Sequence, residues 1–239
     1  MNIPEHVLSA FQVEAQVWVP AGPAWDNGVR YGRSVISVAS STAAWSAKVR
    51  ERLAVEGVRI ARPVRSTDGR FVVGGFKASE FADGVVASRV DEVVAAAVAF
   101  DAAMASVAAP SIARTDRWAE ADRAAWRGAD MGNYTAAPLQ VAHADLLHSC
   151  VFSAMLPPLM TDIAPTAELR PVGYTAALVV VDGLLAKAVD ERVLSRWAHI
   201  ANLPALALRA LEYREILDSH QGSNKRSEIA RVRSLLMSA

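Results

Sequence analysis

The hydrophobic pattern of this 239-residue chain is mainly strand-like before residue 84 and mainly helical beyond it, and that change restricts the chain to a mixed architecture. Before it, apolar residues come in short β-branched runs at 16–19, 29–31 and 34–39, bounded by Gly and Pro, which is strand and turn chemistry. Segments 58–64 and 70–76 flank Ser66-Thr67-Asp68-Gly69, and that arrangement predicts a β-hairpin. Two helices interrupt the strands. One runs from Pro4, placed in its first turn, to about Phe11. The other runs from a cap at Ser41 or Thr42 to about Val55, with Trp45, Val49 and Leu53 on one face. Beyond residue 84 the spacing is helical at 89–107, at 116–127, and from Tyr174 almost to the end, with breaks at Asp190, Pro204 and Gln221-Gly222-Ser223. Short strands are expected around 139–142, 150–153 and 159–163. A strand-rich start followed by a helical remainder is an α+β layout in two lobes, 1–78 and 79–239, joined near 77–84.

Bulk properties exclude several function classes. Hydrophobic residues make up 52% of the chain and charged residues 21%, enough apolar material for a core. The 25 basic residues balance 25 acidic ones, so no global field draws the chain to nucleic acid or to an anionic membrane. Cys150 is the only cysteine, which excludes an internal disulfide and a cysteine-based zinc knuckle and suits a reducing cytoplasm. The N-terminal residues do not read as a signal peptide, and the most apolar run, 176–185, is cut by Asp182 and too short to span a bilayer. The expectation is a cytoplasmic protein that engages neither nucleic acid nor membrane.

Chemistry-bearing residues concentrate in one stretch, VAHADLLHSCVFSAMLPPLMTDIAP, residues 141–165. His143-Ala144-Asp145-Leu146 matches the H-x-D-L of a kinase catalytic loop, whose Asp takes the proton of the attacking hydroxyl. That template carries a metal-binding Asn five residues after the Asp, and position 150 is Cys150. The next Asp, Asp162, closes the run Leu159-Met160-Thr161 as the Asp of D-F-G closes its strand. Arg170-Pro171-Val172-Gly173-Tyr174-Thr175-Ala176-Ala177 follows. In this order, the motifs resemble those of aminoglycoside phosphotransferases and choline-kinase-like enzymes, and more closely those of an actinobacterial family with that kinase-like fold. The resemblance covers most of the chain. It implies a two-lobed, protein-kinase-like (aminoglycoside phosphotransferase-like) α+β fold, with a small strand-rich N-lobe and a helical C-lobe. It further implies ATP and magnesium as cofactors, Asp145 as the ancestral base, and Asp162 as a metal ligand. Ser79, Glu80 and Phe81 fall at the hinge beside the adenine-contacting backbone, in Ser79-Glu80-Phe81-Ala82-Asp83-Gly84.

The departures from that pattern weigh against ATP and magnesium. Ala144 stands where these enzymes have Gly, and Cys150 stands where they have Asn; a thiol is a poor ligand for a hard cation. Gly22, Gly28 and Gly32 are scattered and form no G-x-G-x-x-G. The strand at 34–39, which should carry the phosphate-binding lysine, contains none, and Lys48 lies on the following helix, where the family would offer a glutamate. The expectation is therefore a kinase-like protein, impaired or inactive, acting as a binding module for a small molecule or a protein. The alternative is an active ATP-dependent small-molecule phosphotransferase using Asp145 and Asp162.

Other readings of individual residues stay open at this stage. Asp145 can brace its own loop, and His143, Asp145 and His148 spell an H-x-D-x-x-H chelate. Cys150 reads as a small buried thiol. Asp116-Arg117 and Asp122-Arg123 read as a solvated helix face with Trp118 and Trp126 packing behind it. Asp182, inside an apolar helix, calls for exposure, a cap, or a basic partner such as Arg170. Lys225, Arg226, Arg231 and Arg233 read as a solvated helix face.

Overall fold

A computed structural model of the chain describes residues 2–134, 137–221 and 225–238. In chain order its elements are α1 (Glu5–Ala10), β1 (Trp18–Gly22), β2 (Gly28–Tyr31), β3 (Ser34–Val38), α2 (Ala43–Arg52), β4 (Arg59–Ile60), β5 (Pro63–Val64), β6 (Val72–Val73) and β7 (Phe76–Glu80). There follow α3 (Val90–Met104), α4 (Arg117–Ala125), β8 (Leu139–Gln140), α5 (Leu146–Ser149), β9 (Cys150–Val151) and β10 (Leu159–Met160). The last are β11 (Arg170–Pro171), α6 (Tyr174–Leu185), α7 (Val193–Arg196), α8 (Leu203–Gln221) and α9 (Arg226–Met237). Two compact units result: 1–87 with 148–164, and 88–147 with 165–239.

The first unit is built on an antiparallel sheet of order β1-β2-β3-β7-β5, with β6 also paired to β7. Both faces of its centre are covered. Ile36 and Ala78 point to the side where Ile3, Val7 and Phe11 from the α1 region form a core with Val29 and Tyr31. Val35, Ser37, Lys77 and Ser79 point to the other side; Ser37 lies directly opposite Lys77 and Val35 opposite Ser79. Burial on both faces explains why β3 reads as a continuous run rather than an alternating one.

The hairpin differs from its expected place. Ser66-Thr67-Asp68-Gly69 closes a hydrogen-bonded loop, with Gly69 N–H on the Ser66 carbonyl at 2.8 Å, but the strands on either side of it both pair with β7. The tight hairpin is β6–β7, turned at Gly74 and Gly75, whose φ values of 57° and 80° suit a two-residue primed turn. The boundary drawn at residue 78 falls inside β7. The first unit instead runs to residue 87 and takes in β9 and β10, because β10 pairs in parallel with β4, Leu159 opposite Arg59 and Met160 opposite Ile60.

The second unit packs α3, α8 and α9 around α6. Every residue of α6 from Tyr174 to Leu184 is buried, as expected of a helix apolar on all sides. Asp101 of α3 fastens its start, accepting from Gly173 N–H at 2.8 Å and from the Thr175 hydroxyl at 2.7 Å. Pro204 lies in the first turn of α8 rather than breaking it. That helix ends at Gln221, and Gly222 and Ser223 of the expected break lie outside the described residues.

Two charged residues depart from their expected surroundings, and a third finds a basic partner as expected, though a different one. Asp122 is buried rather than on a solvated face, and it holds the Arg170 guanidinium at 3.0 and 2.8 Å. Asp182 is paired with Arg214 of α8 and not with Arg170. Asp116 caps α4, accepting from Ala119 N–H at 3.0 Å. Among the described residues no helix is long and apolar enough to cross a membrane.

Candidate functional site

In the first unit two cations and a hydroxyl converge on Asp162, just past β10. The helix α2 turns Ala43, Ser46, Ala47 and Arg50 inward, at helical spacing, rather than the Trp45–Val49 stripe that apolarity alone picks out. Arg50 is 1% exposed. Its guanidinium donates to the Ala61 carbonyl at 2.7 Å, the Thr161 carbonyl at 3.2 Å and the Ser79 hydroxyl at 3.3 Å, and lies 3.1 Å from Asp162 Oδ1. The same Oδ1 accepts from the Ser46 hydroxyl at 2.5 Å and from Ile163 N–H at 2.8 Å. Asp162 Oδ2 takes the Lys77 ammonium, which also meets Asp26 Oδ2 at 2.7 Å. Two cations thus face two carboxylates. Burial alone would raise the Asp162 pKa, but Arg50 and Lys77 together hold the carboxyl well below the usual range. Burial likewise acts to lower Lys77, and Asp162 and Asp26 outweigh it, so the ammonium stays charged.

An ammonium does lie on this face of the sheet, carried by the neighbouring strand β7. Lys77 sits directly across from Ser37, on the same sheet face, one strand over from where the sequence motif calls for it. In the sequence Lys77 falls in the expected connector near 77–84. The inward alternation of Lys77 with Ser79 along β7 was the one local signal for it.

The segment between β1 and β2, where a nucleotide loop is expected, folds inward. Gly22 has φ 83°, residues Pro23–Trp25 form a single 3₁₀ turn, and Asp26 and Asn27 both adopt the left-handed conformation. Gly28 closes it, and a Cβ there would lie 2.7 Å from the Ile36 carbonyl oxygen, so only glycine fits. The Thr161 hydroxyl donates to the Ala24 carbonyl at 2.6 Å. Trp25 is 6% exposed and packs with Val35, Ala61, Val151 and Leu159, its ring 5.3 Å from that of Phe81. Ser79 and Glu80 end β7 and Phe81 follows it. Ser79 is buried on Arg50, Glu80 is exposed, and the Arg30 guanidinium lies 4.0 Å over the Phe81 ring.

Magnesium demands an octahedron of oxygens at about 2.0–2.1 Å. Both Asp162 oxygens are already engaged by cations or donors, and Cys150 is a fully buried thiol on β9, opposite Met160. These residues do not fit magnesium.

In the second unit, the H-x-D-L segment is held from beneath. His143 is fully buried: its N–H donates to the Thr175 hydroxyl at 3.1 Å, its ring meets Phe100 edge-on, and its Nδ1 accepts from Asp145 N–H at 3.0 Å. That nitrogen is committed to the loop backbone, so His143 braces the loop. Arg214 donates to both Asp182 oxygens at 2.6 Å and to the Ala144 carbonyl at 2.9 Å. Burial would lower the Arg214 pKa, but Asp182 and Asp145 raise it, and the guanidinium remains charged. Asp145 itself is about half exposed, 3.8 Å from Arg214.

No protein-family model matches the chain, and no curated protein matches it in sequence. Solved structures do. An aminoglycoside phosphotransferase from Alicyclobacillus acidocaldarius subsp. acidocaldarius DSM 446 superposes with a TM-score of 0.58 at 13% identity, over 100% of this chain and 98% of that one. The aminoglycoside phosphotransferase APH(4)-Ia superposes with a TM-score of 0.57 at 13% identity, over 98% of this chain and 97% of that one. The chain has the aminoglycoside phosphotransferase fold. At this identity the likeness establishes the fold alone, and the kinase-like α+β class expected from the motifs is the observed one.

Proposed function

We propose that this protein is a kinase-fold binding module in which phosphoryl transfer is impaired or lost. The observation that carries this reading is the engagement of both Asp162 oxygens by Lys77, Arg50 and Ser46. Phosphoryl transfer is catalysed almost wholly by positioning and by stabilisation of charge, with metal ions neutralising the phosphates. Here the carboxylate that should hold the metal is already neutralised, and one of the cations doing so, Arg50, is buried beneath it. A dication would have to share this carboxylate with two cations, and Cys150 offers no oxygen to receive it. Asp145 is retained as a loop carboxylate and Asp162 as an internal counter-ion. The balanced net charge supports a small molecule or a protein as partner, with no role for nucleic acid or membrane, and the lone cysteine supports a cytoplasmic setting.

The second reading, an ATP-dependent small-molecule phosphotransferase, draws on one observation: Lys77 supplies the ammonium missing from β3. Turnover of ATP in magnesium by the wild type and by Asp145→Asn separates the two. The expected result is hydrolysis and transfer at background in both. Wild-type turnover that collapses in Asp145→Asn establishes the enzyme instead.

A further inference from the structure

We propose that residues 22–28 are the resident occupant of the first unit's nucleotide position, with Trp25 in the place of a purine ring and Asp26 in the place of a phosphate. The inference deepens the reading above and rests on its premise that the β1–β2 segment and the residues around Phe81 are the nucleotide loop and hinge of the kinase fold.

Three independent features place the segment there. Trp25 belongs to the loop that should arch over a nucleotide, yet its indole lies against the hinge ring of Phe81 with Val35, Ala61, Val151 and Leu159 around it. A planar, bicyclic aromatic group in a pocket of aliphatic side chains is what a purine would present to the same surfaces. Next to it, the Asp26 carboxylate meets the Lys77 ammonium at 2.7 Å, the contact a phosphate oxygen would make with that lysine. The backbone between these two mimics is set to hold them there. Asp26 and Asn27 are left-handed, a conformation that Asp and Asn tolerate better than other side chains, Asn27 N–H donates to the Gly22 carbonyl at 3.0 Å, and Thr161 fixes the Ala24 carbonyl.

Charge and exposure divide the two contacts. Lys77 is buried, while the Asp26 side chain is 54% exposed, so the carboxylate approaches the ammonium from the solvent side. Trp25 is enclosed. An incoming nucleotide must displace both, and its apparent affinity is reduced by the fraction of molecules in which the segment is out of the way. Removing either mimic opens only its own part of the position. The two losses are therefore chemically separable.

The test is binding of pyrophosphate, adenosine and ATP, each in EDTA, by isothermal titration calorimetry on the whole chain. The wild type is expected to show no saturable binding of any of them at millimolar concentration. Asp26→Asn keeps a residue suited to the left-handed turn and removes the charge; it should bind pyrophosphate and ATP at least tenfold more tightly than wild type and leave adenosine unchanged. Trp25→Ala should gain adenosine and ATP and leave pyrophosphate unchanged. If Trp25→Ala fails to fold, Asp26→Asn with pyrophosphate decides alone. Wild-type affinity for ATP equal to that of the folded variants, or a folded Asp26→Asn no tighter for pyrophosphate, overturns the proposal. Failure here is distinct from failure of the functional reading: wild-type ATP turnover in magnesium that Asp26→Asn accelerates would discard the loss of transfer and keep the occupant.

Discussion

Asp162 stands among the first unit's charges as their shared counter-ion, and its value lies in what it leaves behind when removed. In Asp162→Asn, Arg50 remains buried with its carbonyl partners but without a carboxylate, and Lys77 keeps only Asp26. Breaking a buried pair from one side costs about 3–5 kcal/mol, and a loss of that order is expected from the urea midpoint of Asp162→Asn at pH 7. The pH dependence follows from the depressed carboxyl. Its folded pKa lies below the unfolded value of about 3.9, so its stabilising contribution is present above about pH 4 and is lost as pH falls toward the folded value. Denaturation at pH 7 and pH 3 should show a smaller acid-induced loss in Asp162→Asn than in wild type. Equal losses would mean that the carboxyl is not held by Arg50 and Lys77.

Between elements, Asp101 does for the second unit what a cap does for a helix. It reaches from α3 to the first turn of α6, a helix with no exposed face from which to draw solvent. Burial pushes its carboxyl up to about 6, against the pull of the Thr175 and Gly173 donors. The folded state thus favours the proton. Relative to an unfolded value near 3.9, the contribution of Asp101 is most favourable below about pH 4 and declines as pH rises through about 6. The total decline is about 3 kcal/mol, about two pH units of linkage at 1.4 kcal/mol each. Asp101→Asn should flatten the fall in melting temperature between pH 4 and pH 7; an unchanged slope would show that the group is ionised in the fold throughout.

At the scale of the whole chain, the first unit is discontinuous. The chain leaves it at residue 87 and returns for 148–164. Those residues supply Val151 and Leu159 to the core around Trp25, and Asp162 to Arg50 and Lys77. A fragment of residues 1–87 retains the five-stranded path β1-β2-β3-β7-β5 but lacks part of one core and the counter-ion of a buried arginine. It should show no cooperative unfolding and no near-ultraviolet tryptophan signal. Joining 148–164 to it through a flexible linker should restore both. A cooperative 1–87 fragment would mean that the sheet and α1 suffice.

What the sequence determined by itself is what local chemistry can carry. The prevailing period, strand-like before residue 84 and helical beyond it, distinguished strands from helices, because side-chain direction repeats every two residues in one and every 3.6 in the other. The order and spacing of His143-Ala144-Asp145-Leu146 and Asp162 pointed to the kinase-like fold, since a loop and a strand end keep their residues adjacent in the chain. The buried Cys150, in its short apolar run, was legible for the same reason. Tertiary structure alone decided the partners. Lys77 reaches Asp162 from the sheet face it shares with Ser37 only because β7 lies beside β3, and Arg50 faces inward although its helix shows a more apolar stripe elsewhere. Trp25 and Asp26 read as loop residues until Phe81 and Lys77 are beside them. Asp182 finds Arg214 and Asp122 finds Arg170 across separations that no local pattern encodes. A buried charge selects its partner by distance and desolvation, and both are properties of the folded chain.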